Sequence, residues 1–305
     1  MRNCSILIPT YNGRDILEQC LPNIVDAATD RRADDEIIIL DNASGDGTAE
    51  FIADNYPQCR VIRLTENKAI FALNDGAQAA ERDHLFLLNN DMLLRPGCVE
   101  ALLSPFDGPD VFAVTGKVYR RDGSLQATRR RPEFRRGRFW YVDTGDDSAR
   151  GLTLHALGGQ SVVCREKFLA LGGIDPLFSP FYQEDLDLSW RALRRGWKII
   201  FEPAAEMIHF GAVTADRLFS RDDILAMIQK NLLTFAWKNI HDPRMTASLI
   251  AWAGPQALRA ALKGDSHYLK GLAGAIARLP DILKARKNAL NSPLSDVDVF
   301  KLFEQ

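Results

Sequence analysis

The chain has 305 residues, 46% of them hydrophobic and 26% charged, the balance of a soluble globular protein of one large or two modest domains. Lys and Arg number 38 against 40 Asp and Glu, a net charge of −2, which argues against a nucleic-acid binder while leaving room for a local basic patch. No apolar run approaches the ~20 residues that span a bilayer, and the five scattered cysteines, with no CxxC pair, fit reduced, mostly buried thiols of a cytoplasmic protein.

The opening residues have no signal-peptide layout, and their short apolar stretch reads as a strand. Residues 4–8, 36–40, 61–64 and 85–88 are short runs rich in Ile, Val and Leu. Between them, residues 16–27, 48–55 and 70–80 carry helical periodicity. This alternation predicts an α/β fold, a Rossmann-like, mainly parallel central sheet flanked by helices. Ligands of such sheets sit beyond the carboxyl ends of the strands. The loops there read Pro9-Thr10-Tyr11-Asn12-Gly13, Asp41-Asn42-Ala43-Ser44-Gly45-Asp46-Gly47 and Asn89-Asn90-Asp91.

Residues 117–138 hold nine basic and two acidic side chains and read as a hairpin turning at Asp122-Gly123, followed by a mobile loop. Residues 158–165 are a strand running into a helix start, 186–195 a helix, and 198–202 and 206–210 the strands that close the sheet. Beyond about residue 216 the pattern is all helical, over 222–239, 246–262 and 267–289. The division is therefore a catalytic or binding domain over 1–215 and a helical C-terminal extension over 216–305. Seven basic and two acidic residues between 259 and 287 describe amphipathic helices that rest on a membrane surface, or pack on the core or a second subunit.

Asp91 beside two amide side chains, just past a strand, suits a hard divalent cation, Mg2+ or Mn2+; the same residues also serve as turn formers. Asp41 is placed to accept hydrogen bonds from a nucleotide base, because Asp46 is the better cap for the following helix. Glu184 and Asp185 open a helix, where acids suit the dipole. One of them beside a substrate hydroxyl is also a general base, and adjacent carboxylates raise one pKa. His209 ends an apolar strand, as a structural histidine or as a neutral ligand to a carboxylate-bound Mn2+. The chain has no GxGxxG after its first strand, no GxxxxGK[ST] and no GxSxG, so dinucleotide, P-loop and nucleophile-elbow chemistry are disfavoured.

Together these motifs resemble the family 2 glycosyltransferases, inverting enzymes of the GT-A fold, over residues 3 to about 240. Ser5-Ile6-Leu7-Ile8-Pro9-Thr10-Tyr11-Asn12-Gly13 is similar to the family's first strand and nucleotide loop. The stretch from Asp41 to Thr48 is similar to its second motif, whose leading Asp contacts the base. Leu87-Leu88-Asn89-Asn90-Asp91 is similar to the Asp-x-Asp metal motif, with Asn89 in place of the first Asp, so Asp91 carries most of the metal charge. Gly172-Gly173-Ile174-Asp175 and Tyr182-Gln183-Glu184-Asp185-Leu186-Asp187-Leu188 resemble the acceptor-side motif. The segment from Pro203 to His209 resembles the one ending in a metal-binding His. Ala69 stands where relatives often have Gly, which narrows the donor pocket. The hairpin from Asp122 to Gln126 and the basic C-terminal helices resemble the rhamnosyltransferase-like branch, which builds bacterial surface polysaccharides.

The resemblance implies that a nucleotide-diphosphate sugar is bound by Pro9, Thr10, Asn12, Asp41, Lys68, Asn89, Asn90 and Asp91. It further implies Asp91 and His209 on the metal, Asp185 as catalytic base, and Glu184 and Asp187 on the acceptor side. The acceptor is a saccharide or a lipid-diphosphate-linked saccharide, met by the basic 117–138 region, with peripheral contact at the inner membrane face. Two other functions compete: a sugar nucleotidyltransferase, which would carry a Gly-rich loop with Arg after the first strand, and a non-catalytic sugar- or lipid-binding module on a degenerate fold.

Overall fold

The computed structural model describes residues 2–31, 33–145, 147–156, 158–211, 219–288 and 292–304. Strands β1 (Ser5–Thr10), β2 (Glu36–Asp41), β3 (Cys59–Arg63) and β4 (His84–Leu88) pair in parallel in the order β3-β2-β1-β4. Successive side chains enter opposite faces. Leu7, Ile38, Leu40, Leu85 and Leu87 join one core, and Ile6, Ile8, Ile37, Ile39, Phe86 and Leu88 the other. Both faces are covered, which is why these strands are uninterrupted apolar runs. Helices α1 (Arg14–Asp30), α2 (Thr48–Asn55) and α4 (Cys98–Leu103) cover the second face. Helices α3 (Ala72–Ala79), α5 (Arg165–Ala170) and α6 (Glu184–Arg194) cover the first.

Past β4 the sheet becomes mixed. Strand β11 (Gln160–Cys164) lies antiparallel between β4 and β6 (Val111–Arg120), and β12 (Lys198–His209) runs parallel to β6. β5 (Met92–Leu94), β7 (Leu125–Ala127) and β10 (Gly151–Leu152) pair at the margins. The two strands expected over 198–202 and 206–210 are one strand, β12, whose pairing with β6 is irregular between Phe201 and Glu206. Pro203, with no N–H to donate, lies in that interval.

The hairpin expected at Asp122-Gly123 joins β6 to β7. The mobile loop expected after it is instead a second hairpin, β8 (Arg130–Arg135) and β9 (Arg138–Asp143), in which Arg135 pairs with Arg138. Its turn residues Arg136 and Gly137 have φ of 52° and 63°, the positive values a two-residue hairpin turn requires. Arg130, Arg131, Arg135 and Arg138 interrupt the alternation that would reveal these strands.

The C-terminal region forms α7 (Arg221–Asn239), α8 (Pro243–Lys263), α9 (Ser266–Ala277), α10 (Leu279–Asn288) and α11 (Asp296–Lys301). The single stretch expected over 267–289 is broken into α9 and α10, and its last residue lies outside the described residues, as does the expected boundary at 215–216. The ends of α8 follow local chemistry. Asp242 accepts the Met245 N–H at 2.9 Å, Pro243 takes the first position, and Gly264 closes the helix at φ 66°. α7 packs back onto the sheet core, with the Phe235 ring centroid 4.7 Å from Phe139 and 5.7 Å from Trp190. All five cysteines are free and all but Cys164 are buried.

Candidate active site

Beyond the carboxyl ends of β1 and β4 lies a cleft of about 360 Å³. Pro9, Thr10, Asn89, Asn90, Asp91, Glu184, Asp185 and His209 all line it. Asn12, Asp41, Lys68 and Asp187 do not, and each has a specific alternative placement.

Thr10 Oγ1 accepts from Asn90 Nδ2 at 3.0 Å, which ties the β1 loop to the loop after β4. Asn12 braces the second loop: its N–H donates to Ser44 Oγ at 2.9 Å and its Oδ1 accepts from the Gly45 N–H at 2.8 Å. Asp41 is fully buried. Its Oδ1 accepts the Ser44 N–H at 3.0 Å, while Oδ2 has no hydrogen-bond partner and lies 3.6 Å from the Arg63 guanidinium. The Arg63 cation thus faces the one carboxylate oxygen that no hydrogen bond satisfies. The Lys68 ammonium turns to Asp75, 3.0 Å away, so this residue touches the second loop only through its N–H to Asn42 Oδ1 at 3.1 Å. Lys68, expected on the donor, does not line the cleft, and the Asp75 carboxylate holds its ammonium. Ala69 lines the cleft at φ 49°, a left-handed backbone that glycine adopts more readily.

β5 pairs antiparallel with the end of β12, which sets Met92 opposite His209. The register brings His209 Nε2 to 3.2 Å from Asp91 Oδ2. Its Nδ1 lies 3.0 Å from the nitrogen and 3.1 Å from the oxygen of the Gln126 side-chain amide, which serves either tautomer; with the proton on Nδ1 the Nε2 lone pair faces Asp91. A carboxylate and a neutral imidazole suit Mg2+ or Mn2+. No group of three His, Cys, Asp or Glu side chains forms a metal cluster among the described residues. The donor set fits a cation that takes its remaining ligands from water and substrate phosphates.

Tyr182 and Gln183, which also line the cleft, both have positive φ, 76° and 69°, and turn the chain into α6. Asp185 Oδ1 accepts the Leu186 N–H at 2.7 Å and Oδ2 the Gly158 N–H at 3.2 Å. Glu184 is buried, and its Oε2 has no hydrogen-bond partner. Burial first, and then the Asp185 charge, pushes its pKa up to about 8. Glu184 is therefore a neutral acid at pH 7. Glu184→Gln is expected to stabilise the protein increasingly as pH rises. The wild-type chain holds a proton there when folded and none when unfolded, so it loses about 1.4 kcal/mol per pH unit between the ordinary carboxylate range and about 8, which Gln does not. Denaturant midpoints across that range measure it, and a pH-independent difference would mean Glu184 is ionised in the fold.

Asp187, expected on the acceptor side, is instead wholly buried behind α6. It contacts Lys238 Nζ at 2.6 Å, Arg191 Nε at 2.8 Å and Asn239 Nδ2 at 2.8 Å. Burial pushes its pKa up, but the Lys238 and Arg191 cations outweigh this and hold it down at about 2. It fastens α6 to α7.

The cleft residues not among those expected include Arg130, Tyr141 and His155. The Arg130 guanidinium sits 5.1 Å over the Tyr141 ring, with Nη1 3.4 Å from His155 Nε2. His155 Nε2 is 4.0 Å from Asp185 Oδ2, and burial lowers its pKa so that it stays neutral. Arg130 was visible only as one member of the basic run. Tyr141 and His155 carry no spacing signal, because the hairpin that delivers Tyr141 was itself hidden.

The chain is 27% identical over 241 residues to N-acetylglucosaminyl-diphospho-decaprenol L-rhamnosyltransferase of Mycobacterium tuberculosis, which covers 70% of the chain and 77% of that relative. It is 24% identical over 218 residues to poly-beta-1,6-N-acetyl-D-glucosamine synthase of Staphylococcus aureus, covering 67% of the chain and 49% of the synthase. Among solved structures, GalNAc-T7 with UDP, GalNAc and Mn2+ superposes with a TM-score of 0.63 at 18% identity, over 80% of this chain and 49% of that one. The mannosyltransferase PcManGT from Pyrobaculum calidifontis, with GDP-Man and Mn2+, gives 0.56 at 18% identity over 94% of this chain and 79% of its own. These likenesses establish the GT-A fold. A sequence model of glycosyl transferase family 2 matches residues 5–172, more than half of the chain. On that match and the five motifs in order, the chain belongs to glycosyl transferase family 2.

Proposed function

We propose that this chain is an inverting, metal-dependent hexosyltransferase of bacterial surface polysaccharide synthesis. It moves a sugar from a nucleotide-diphosphate donor to a hydroxyl of a saccharide or lipid-diphosphate-linked acceptor. The observation that carries this reading is one cleft lined by both the Asp91–His209 pair and the Asp185 carboxylate.

Asp41, expected on the base, would act from behind the cleft through the loop whose Ser44 N–H it holds, and the Thr10–Asn90 link would form the floor beneath the nucleotide. Asp185 would take the proton of the acceptor hydroxyl as that oxygen bonds to the anomeric carbon. The carbon–oxygen bond to the diphosphate breaks on the opposite face, so the nucleoside diphosphate leaves and the configuration inverts. Asp91 and His209 would hold Mg2+ or Mn2+, which when bound supplies neutralising charge for the leaving diphosphate. Glu184, protonated, would donate a hydrogen bond on the acceptor side, where Arg130 offers a cation to an anionic acceptor. The mycobacterial relative's name, with its diphospho-decaprenol acceptor, supports a lipid-linked acceptor and a rhamnosyl-type donor.

The test is a thermal-shift screen of UDP-, GDP- and dTDP-linked sugars with and without Mn2+ or Mg2+. A ligand that binds only the folded state raises the melting temperature by mass action. One nucleotide class is expected to give a metal-dependent rise that Asp91→Asn and His209→Ala each abolish. A rise that survives in both variants would remove those residues from the metal.

A further inference from the structure

The outer face of α8 carries a stripe that the catalytic cleft does not use. Ala247, Ile250, Ala251, Leu258, Ala261 and Leu262 recur at helical spacing, so they share one face. All are exposed, Ile250 at 73%, Leu258 at 62% and Leu262 at 79%. On a water-facing helix these positions would ordinarily be polar.

Beside the stripe, a pocket of about 490 Å³ opens between α8 and the β8–β9 turn. Arg135, Arg136, Arg138, Arg259 and Lys263 line it, with Trp140 and Trp252 among them. Among the described residues the only acidic one in the wall is Asp265, whose carboxylate caps α9 through the Tyr268 N–H at 3.0 Å. None of the five cations forms an ion pair with a described residue. The turn is seated firmly on the helix. A Cβ on Gly137 would fall 2.4 Å from the Ser248 carbonyl oxygen, so only glycine permits the approach. Gln256 Nε2 donates to the Arg136 carbonyl at 2.7 Å, and the Arg136 guanidinium lies 5.6 Å over the Trp252 ring.

Five cations with no ion pair among the described residues, gathered beside an exposed apolar stripe, match a ligand that presents anions above hydrocarbon. A 21-residue helix is ~30 Å long, and no described helix is long and apolar enough to cross a membrane, so the match is to a surface on which the helix lies. We propose that α8 and the 135–138 turn dock the protein on an anionic phospholipid bilayer, the stripe entering the acyl boundary and the basic pocket taking a lipid phosphate. The inference deepens the lipid-linked acceptor reading, since it brings the chain to the surface where such an acceptor lies. Its test needs neither nucleotide nor acceptor, so the two readings fail separately.

The experiment is flotation of the purified full chain with phosphatidylcholine vesicles, with and without phosphatidylglycerol. The chain is expected to float only with the anionic vesicles and to be released by high salt, because screening weakens the attraction. Arg135→Glu with Arg259→Glu, and separately Leu258→Ser with Leu262→Ser, should each weaken partitioning by about tenfold or more with melting temperature unchanged. Absent flotation, equal flotation with neutral vesicles, or wild-type flotation of both double variants would overturn the proposal. So would full competition by inorganic phosphate, which would make the pocket a free-phosphate site. A lipid-free dimer broken by the leucine changes, with no vesicle binding, would make the stripe a contact between copies and equally overturn it.

Discussion

Asp185→Asn is expected to lower kcat by about 10²- to 10⁴-fold, the range a positioned general base contributes, while the donor-induced rise in melting temperature persists. The separation follows from geometry. Asp185 lines the cleft from the start of α6 and is not in the Asp91–His209 pair, so the proposed acceptor role does not require it on the donor. Its oxygens are held by the Leu186 and Gly158 N–H groups, which aim the carboxylate. Asn can accept only one of these, so the melting temperature of the variant is measured first to exclude a displaced loop. Steady-state rates with saturating donor then decide. Turnover near the wild-type rate would move the base elsewhere.

Asp187→Ala is expected to cost about 3–5 kcal/mol of stability, the usual penalty for removing one partner of a buried ion pair. Lys238, with 4% of its side chain exposed, would keep only Asp175 at 2.6 Å, and Arg191 and Asn239 would lose their shared acceptor. Urea unfolding should show a lower midpoint with the slope unchanged. A loss below about 1 kcal/mol would mean that the network contributes little beyond its own desolvation cost. The same group sets part of the acid limit. Its pKa is depressed in the fold, so its contribution is full above the ordinary Asp value and is lost as pH falls towards about 2. Because α6 carries Asp185 at its start, loosening the α6–α7 clamp should also lower turnover, at a donor affinity left near the wild-type value.

The parallel half of the sheet was legible in the sequence because its signals are local. Runs such as Ile6-Leu7-Ile8 and Ile37-Ile38-Ile39 are buried on both faces, and that requirement alone makes them continuously apolar. The polar loops after β1, β2 and β4 marked the cleft for the same reason. The β8–β9 hairpin was not legible: its alternation is obscured by arginines, and its turn is Arg-Gly rather than the usual Asn-Gly or Asp-Gly. Tyr141 and Arg130 were hidden with it.

Glu184, Asp185 and Asp187 show where reading a sequence stops. Spacing places Asp185 and Asp187 about 200° apart around α6, so they must face opposite sides, but not which side meets the cleft. Packing against α7 decided that, by offering Lys238 and Asn239 to Asp187 and leaving Asp185 to the cleft. The pairing of β5 with β12 likewise brought His209 to Asp91 across a long stretch of chain. The sequence by itself determined the order of the elements, the loops that carry chemistry and the family, because hydrophobic period and turn residues act over a few neighbours. The tertiary structure decided which charged groups meet, because register and helix rotation follow from the burial of whole faces, and no short window of sequence contains them.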